Sequence, residues 1–174
     1  VDSGPDEFEA FVRARTPALL RSAYLLTGDQ HLAEDLVQSA LVRTHRAWRR
    51  VHQLGNAEAY TRKAMYHLQI SRWRRRRPAE SFTGATPQRS ERAEPDHAEL
   101  TALRLSLRLA LAQLPVKQRA VVVLRFFEDL SEAQAAEMLG VTVGTVKSQT
   151  ARALARLRAV APELNDASAT GGLR

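Results

Sequence analysis

A chain of 174 residues has room for one ordinary domain or two small ones, and with aromatics at only 6% its core must be built from Leu, Ala and Val, a palette that favours helix over sheet. The absence of cysteine excludes disulfides and thiolate metal sites, while a formal charge of +7 and a pI near 10.7 point to a polyanionic partner. The apolar run AVVVL at Ala120–Leu124 is too short to span a bilayer, and the acidic start lacks a basic-then-apolar signal pattern, so a soluble cytoplasmic protein is expected.

Charge is partitioned along the chain. It runs from net −4 over 1–40 to +10 over 41–77, −3 over 78–100, +1 over 101–142 and +4 over 143–158. Two basic zones are thus separated by an acidic interval.

From Pro5 to Leu26 the apolar positions Phe8, Phe11, Val12, Leu19, Ala23 and Leu26 recur at helical spacing, and Pro17 is expected to kink or divide the helix. Thr27–Asp29, TGD, reads as a stop followed by a capped restart. The next helix runs to about Trp48, lined by Ala33, Leu36, Val37, Ala40, Leu41 and Thr44. Its acids, Glu34 and Asp35, stand early and its arginines late, as the helix dipole prefers. RVHQLGN (50–56) reads as a loop, with Asn56 as cap of a third helix that carries Tyr60, Ala64, Leu68 and Trp73 into the cluster at Arg72–Arg77.

Pro78 ends that helix. Residues 78–96, with three prolines and little to bury, read as a flexible tether. Four more helices are expected: His97 to Leu114, one opened by Pro115 in its first turn and running to about Glu128, one capped by Ser131 and ended by Gly140, and one capped by Thr142 and running to about Arg158. Residues 161–174 read as a disordered tail. The fold class is all-α: two small helical domains, 5–77 and 97–160, joined by the tether.

The last two helices form a helix-turn-helix pattern. Ala135, Ala136, Leu139, Val141, Val146 and Leu154 would pack the pair and its corner, leaving the second helix to enter a major groove. Thr145, Lys147, Ser148, Gln149 and Arg152 lie on or near the face that would meet base edges, where Gln suits adenine and Arg suits guanine. The bland alternative is a helical hairpin with a solvated basic face. The Arg72–Arg77 cluster is less specific, since phosphate contact carries no sequence information, but it lies near a loop holding an aromatic, His52 and Asn56, and such loops can hold unstacked bases. Trp48 and Trp73 read as core residues rather than stacking platforms. No enzyme is expected: His31, His45, His52, His67 and His97 lack ligand spacing, Glu34 and Asp35 face different directions, and no phosphate-binding glycine loop occurs, so no catalytic residue, metal or cofactor is assigned.

Both halves resemble one family. AEDLVQSALVRTHRAW (33–48) is similar to regions 2.1–2.2 of the extracytoplasmic-function (ECF) sigma factors of the sigma-70 superfamily, in their actinobacterial form. AYTRKAMYHLQISRWRRRR (59–77) resembles regions 2.3–2.4, and the stretch from Leu114 to Arg158 resembles region 4 throughout. The resemblance implies a protein that binds core RNA polymerase and directs promoter-specific initiation, with the first domain melting and holding the −10 element and the second reading the −35 element as duplex. By position, Asp35, Gln38 and Leu41 match residues that dock on the polymerase clamp helices. Arg50, His52, Asn56, Arg62, Lys63, His67 and Arg74 fall where the −10 strand is gripped, and Thr145, Lys147, Ser148, Gln149 and Arg152 match the −35 readers. Ser39 stands where the family commonly has an acid, His67 where it often has Asn, Ser71 where it often has Asp or Asn, and Gln149 where it often has Arg. Implied partners are the clamp helices and flap of core polymerase, promoter DNA as duplex and single strand, and an anti-sigma protein. With its basic zones split by a tether, the free protein is expected to bind DNA weakly until polymerase sets their spacing.

Two other functions compete. A free-standing helix-turn-helix repressor or activator would need a dimer and a palindromic site. It leaves the 41–77 basic zone without a task. A nucleic-acid coating protein predicts affinity without sequence preference and a steep salt slope. It leaves the capped recognition helix without one.

Overall fold

The computed structural model describes residues 4–76 and 98–160, and among them every regular element is helical. The expected tether at 78–96 and the tail at 161–174 lie outside the described residues. The first half comprises α1 (Gly4–Thr27), α2 (Gln30–Arg46), α3 (Trp48–Gln53) and α4 (Ala57–Arg76). The second comprises α5 (Ala98–Ala112), α6 (Val116–Val122) with a π-helical continuation at Val123–Phe127, α7 (Glu132–Leu139) and α8 (Val143–Val160).

Helix α1 turns into α2 within two residues. Gly28 takes φ +75°, a conformation open to a residue without Cβ, and Asp29 caps α2 by accepting the Leu32 N–H at 2.8 Å. Pro17 does not divide α1. It sits on the exposed face, so the carbonyl it leaves unbonded at exposed Arg13 can turn to water. The apolar face of α2 is buried at Ala33, Leu36, Val37 and Ala40. Against it α4 buries Thr61, Met65 and Tyr66, a face that aromatic spacing alone did not single out. Thr44 and Thr61 meet in this core, their hydroxyls 2.8 Å apart, each also within reach of the carbonyl four residues back. One proton bridges the pair and the other goes to a carbonyl, so neither hydroxyl is left without a bond.

Two boundaries in the first half and one in the second differ from the sequence reading. The second helix stops at Arg46, and most of the expected loop at 50–56 is instead the short helix α3. Ala47, at φ −102° and ψ 4°, breaks the axis while its N–H still reaches the carbonyls of Arg43 and Thr44. The restart is stabilised by burial: Trp48 and Val51, one turn apart, pack beneath Phe8 and Phe11, with ring centroids 5.0 and 5.2 Å from Trp48. Only Leu54–Asn56 remains as loop, with Gly55 at φ +66°. In the second half, Pro115 is the N-cap of α6 rather than its first residue.

The π turn at Val123–Phe127 closes with the Glu128 N–H on the Val123 carbonyl at 3.0 Å. It leaves Phe126 and Phe127 exposed while Val121–Leu124 are wholly buried. Helix α7 carries a complete capping box: Ser131 accepts the Gln134 N–H at 3.2 Å, and Gln134 accepts the Ser131 N–H at 2.8 Å. Gly140 ends it in the left-handed conformation at φ +66°, and Thr142 then caps α8 by accepting the Thr145 N–H at 3.1 Å. Of the residues expected to pack this pair, Ala135, Ala136 and Val146 are buried and Leu139 and Leu154 are half-buried. Val141 is 41% exposed, a correction, and Ala153 takes the buried place on α8.

The two halves share a core. Leu19, Ala23, Leu26, Leu36, Met65 and Tyr66 from the first pack in one cluster with Ala120, Val121, Leu124, Ala135 and Val146 from the second. Arg119 threads this boundary. Its guanidinium donates to the Leu26 carbonyl at the end of α1 (2.9 Å) and to Ala112 and Leu114 at the end of α5 (2.8 and 3.2 Å). Burial lowers its pKa from the ordinary arginine value, and three carbonyls at helix ends offset that desolvation.

Replacing Arg119 by Met is expected to destabilise the protein by about 3 kcal/mol, because three carbonyls, two of them in buried bonds, lose a charged donor. Urea unfolding of the full chain measures it, and a change below about 1 kcal/mol would show that the guanidinium is not the tie between helix ends. Ser131→Ala removes half of the capping box and is expected to cost about 1 kcal/mol by the same measurement.

Candidate nucleic-acid interface

Helix α8 has a buried face and an open one. Val146 and Ala153, seven residues apart, are fully buried, while Thr145, Lys147, Ser148 and Arg152 are exposed and Gln149 is half-buried. Thr145, Ser148, Gln149 and Arg152 follow the spacing of one helical stripe. Local bonds order its first turns: the Thr142 and Thr145 hydroxyls are 2.9 Å apart, and Ser148 donates to the Thr145 carbonyl at 3.0 Å. Lys147 stands 3.8 Å from Glu132 of α7, an exposed pair of little energetic weight. Arg152 forms no ion pair among the described residues. Four of the five residues expected here, Thr145, Ser148, Gln149 and Arg152, therefore share one stripe, and Lys147 is exposed on the flank beside Glu132 of α7.

The seven candidates in the first half do not form one continuous face. Lys63, His67 and Arg74 share a side of α4 and are exposed. Arg50 and Asn56 are exposed around α3 and its following loop. His52 stacks on Trp48 with ring centroids 4.8 Å apart and pairs with Glu7 of α1 at 3.1 Å. Trp48 itself is core, as expected, and Trp73 is half-buried. Arg62 is engaged from two sides, by Glu58 one turn back (3.0 Å) and by Glu128 of the second half (2.8 Å). The Nε2 of His67 lies 2.9 Å from the Met138 carbonyl at the end of α7.

The candidate docking residues stand on one side of α2: Asp35 and Gln38 exposed, Leu41 half-buried, with Val42 exposed beside them. Arg72 of α4 reaches this side, donating to Ser39 Oγ at 2.9 Å. The hydroxyl at position 39 thus joins α2 to the basic end of α4.

Sequence reasoning missed the residues that bring the halves together. Glu128 accepts a bond from the Ser22 hydroxyl of α1 and pairs with Arg62, its side chain only 6% exposed. Tyr66 is buried beside this pair; burial, and then the Glu128 carboxylate, push its phenol pKa well up against the opposing effect of Arg62. A groove of about 780 Å³ opens between the halves, lined by Arg21, Arg62, Arg104, Arg108, Phe127 and Glu128 among others. Arg108 stacks over Tyr24 at 4.9 Å. For Arg119 a local signal existed, a cation abutting the apolar run Ala120–Leu124. For Glu128 and Ser22, 106 residues apart, there was none.

Among the described residues no group of His, Asp and Glu has the geometry to hold a metal ion, and no helix is long and apolar enough to cross a membrane.

Comparison with known proteins covers both halves. Residues 11–79 match the Sigma-70 region 2 family and residues 104–157 the Sigma-70, region 4 family. The RNA polymerase sigma-E factor of Streptomyces coelicolor is 44% identical over 152 residues, covering 87% of this chain and 84% of that protein. The ECF RNA polymerase sigma factor SigL of Mycobacterium tuberculosis is 35% identical over 151 residues, covering 84% of each. Among solved structures, the sigma factor RpoE of Bartonella quintana, crystallised with the anti-sigma factor NepR, superposes with a TM-score of 0.63 at 25% identity, over 88% of this chain and 96% of that one. A free-standing regulator would account for the second half alone. Matched through region 2 as well as region 4, the chain belongs to the ECF sigma factors of the sigma-70 family and functions as an RNA polymerase sigma factor.

Proposed function

We propose that this sigma factor docks on the clamp helices of core polymerase through Asp35, Gln38 and Leu41, and on the flap through its second half. It holds a melted −10 strand with Arg50, His52, Asn56, Arg62, Lys63, His67 and Arg74, and reads a duplex −35 element with Thr145, Lys147, Ser148, Gln149 and Arg152. The domain assignment follows: 5–77 docks and melts, 97–160 reads duplex, and 78–96 joins them. The observation that carries this reading is α8, whose buried side at Val146 and Ala153 fixes which polar residues face outward. Its N-terminal turns then present hydroxyls, a lysine and an arginine at the spacing that base edges and flanking phosphates require.

The chemistry is binding rather than bond-making. Cations and helix N-termini position the phosphates, while Gln149 and Arg152 offer the bidentate geometry that distinguishes bases. On the −10 side, exposed cations along α4 follow a backbone and the region around α3 receives splayed bases. Polymerase in the cytoplasm is the partner that sets the spacing between the two readers. An anti-sigma protein is a further partner in this reading, supported by the complex of RpoE with the anti-sigma factor NepR from Bartonella quintana.

The test is transcription in vitro with purified bacterial core polymerase over a genomic fragment library, with and without this protein. New starts sharing two motifs at fixed spacing are expected. Gel shift of one palindromic fragment without new starts would favour a free-standing regulator. Arg152→Ala should lower initiation at those starts by about 10- to 100-fold and relax preference at one −35 position. Asp35→Arg and Gln38→Ala should abolish the new starts while the proteins keep wild-type helicity. Full activity from Asp35→Arg would remove α2 from the docking assignment.

A further inference from the structure

Four carboxylates touch candidate DNA-binding cations: Glu7 on His52, Glu58 and Glu128 on Arg62, and Glu132 on Lys147. They differ in burial. The side chains of Glu7, Glu58 and Glu132 are 45%, 33% and 36% exposed, where screening leaves a pair little weight. Glu128 is 6% exposed, and it is the one of the four that belongs to the opposite half of the molecule from the cation it meets. It accepts from Ser22 with one oxygen and from Arg62 with the other, much as a phosphate engages a hydroxyl and a guanidinium. The pair lines the groove between the halves, together with Arg21, Arg104 and Arg108, none of which forms an ion pair among the described residues.

We propose that Glu128 is a built-in substitute for a nucleic-acid phosphate: it holds the free protein closed by occupying Arg62, and a single-stranded DNA backbone entering the groove along Arg21, Arg104 and Arg108 takes Arg62 over and releases the second half. The inference rests on the assignment of Arg62 to the −10 strand made above. Closure engages Arg62 through Glu128 and His67 through the Met138 carbonyl, while Thr145, Lys147, Ser148 and Arg152 of α8 stay exposed. The −35 reader is therefore available in the closed chain, and part of the −10 reader is not. Binding of polyanion and closure compete for one guanidinium, so each weakens the other by the same factor.

Because the chain contains no cysteine, Ala59→Cys on α4 and Ala155→Cys on α8, both exposed, can carry a donor and an acceptor dye in the full-length protein. Oligodeoxythymidine is the probe, added at low and at moderate salt. Wild-type protein is expected to show high energy transfer that falls as the oligonucleotide binds, more so at low salt. Glu128→Gln should start with low transfer and bind the oligonucleotide about tenfold more tightly, because the closed population no longer reduces its apparent affinity. Circular dichroism checks that the variant is folded, and if it is not, Glu128→Ala and the oligonucleotide titration of wild type still decide. Transfer that stays high in wild type at saturating oligonucleotide overturns the proposal, as does an open Glu128→Gln with unchanged affinity. Failure of the transcription reading is separate: opening by oligonucleotide without new promoter starts would keep the latch and remove the −10 assignment.

Discussion

The burial of the C-terminal half of α1 on two sides is the constraint on which the arrangement depends. Leu19, Ala23 and Leu26 pack against α2 and α4 and, in the same cluster, against residues of α6 and the π turn. A short helical unit built from Leu, Ala and Val cannot bury enough apolar surface to be strongly stable by itself. Here each unit supplies part of the other's core. Arg119 then ties the helix ends at that boundary by donating to the carbonyls of Leu26, Ala112 and Leu114, the first of which also accepts from the Gln69 side chain.

This sharing explains why the polar contacts between halves are few and specific. A carboxylate side chain as buried as that of Glu128 is tolerated only where its oxygens are occupied, and Glu128 meets that condition with Ser22 and Arg62. Tyr66, beside it, is buried with no hydroxyl partner among the described residues. The π turn contributes as well. Its extra residue changes the rotation between Leu124 and Glu128, so the core run Val121–Leu124 stays inside while Phe126 and Phe127 are exposed.

Most of the local structure was legible in the residues, because local chemistry decides it. Asp29, Ser131, Gly140 and Thr142 act at the places their types predict. The outward side of α8 was legible for the same reason, since seven-residue spacing of Val146 and Ala153 sets its buried face. Where the reading erred, a tertiary contact outweighed a local signal. RVHQLGN looks like loop by composition, yet Val51 joins Trp48 in becoming helical because both are buried under Phe8 and Phe11. Pro17 looked disruptive, and its exposed position made the lost bond tolerable. The contacts between halves had no local signature at all, since Ser22 and Glu128 are ordinary polar residues until the fold places them together.

The charge map of the sequence takes on a different meaning once those contacts are known. A zone of net +10 at 41–77 suggests a surface held open for polyanion, and on the sequence alone the tether accounts for the weak binding expected of the free protein. Yet carboxylates from outside that zone, Glu7 and Glu128, come back to His52 and Arg62. Each is placed on a group that the proposed −10 assignment uses. The weak binding expected of the free chain then gains a second cause under the proposed closure, internal competition, and the two scale differently. A tether lowers affinity by a chain-entropy factor that salt hardly alters, whereas a competing carboxylate must be displaced by the same electrostatic attraction that salt weakens. The salt dependence of DNA binding by the free chain therefore carries information about closure as well as about the number of phosphates contacted.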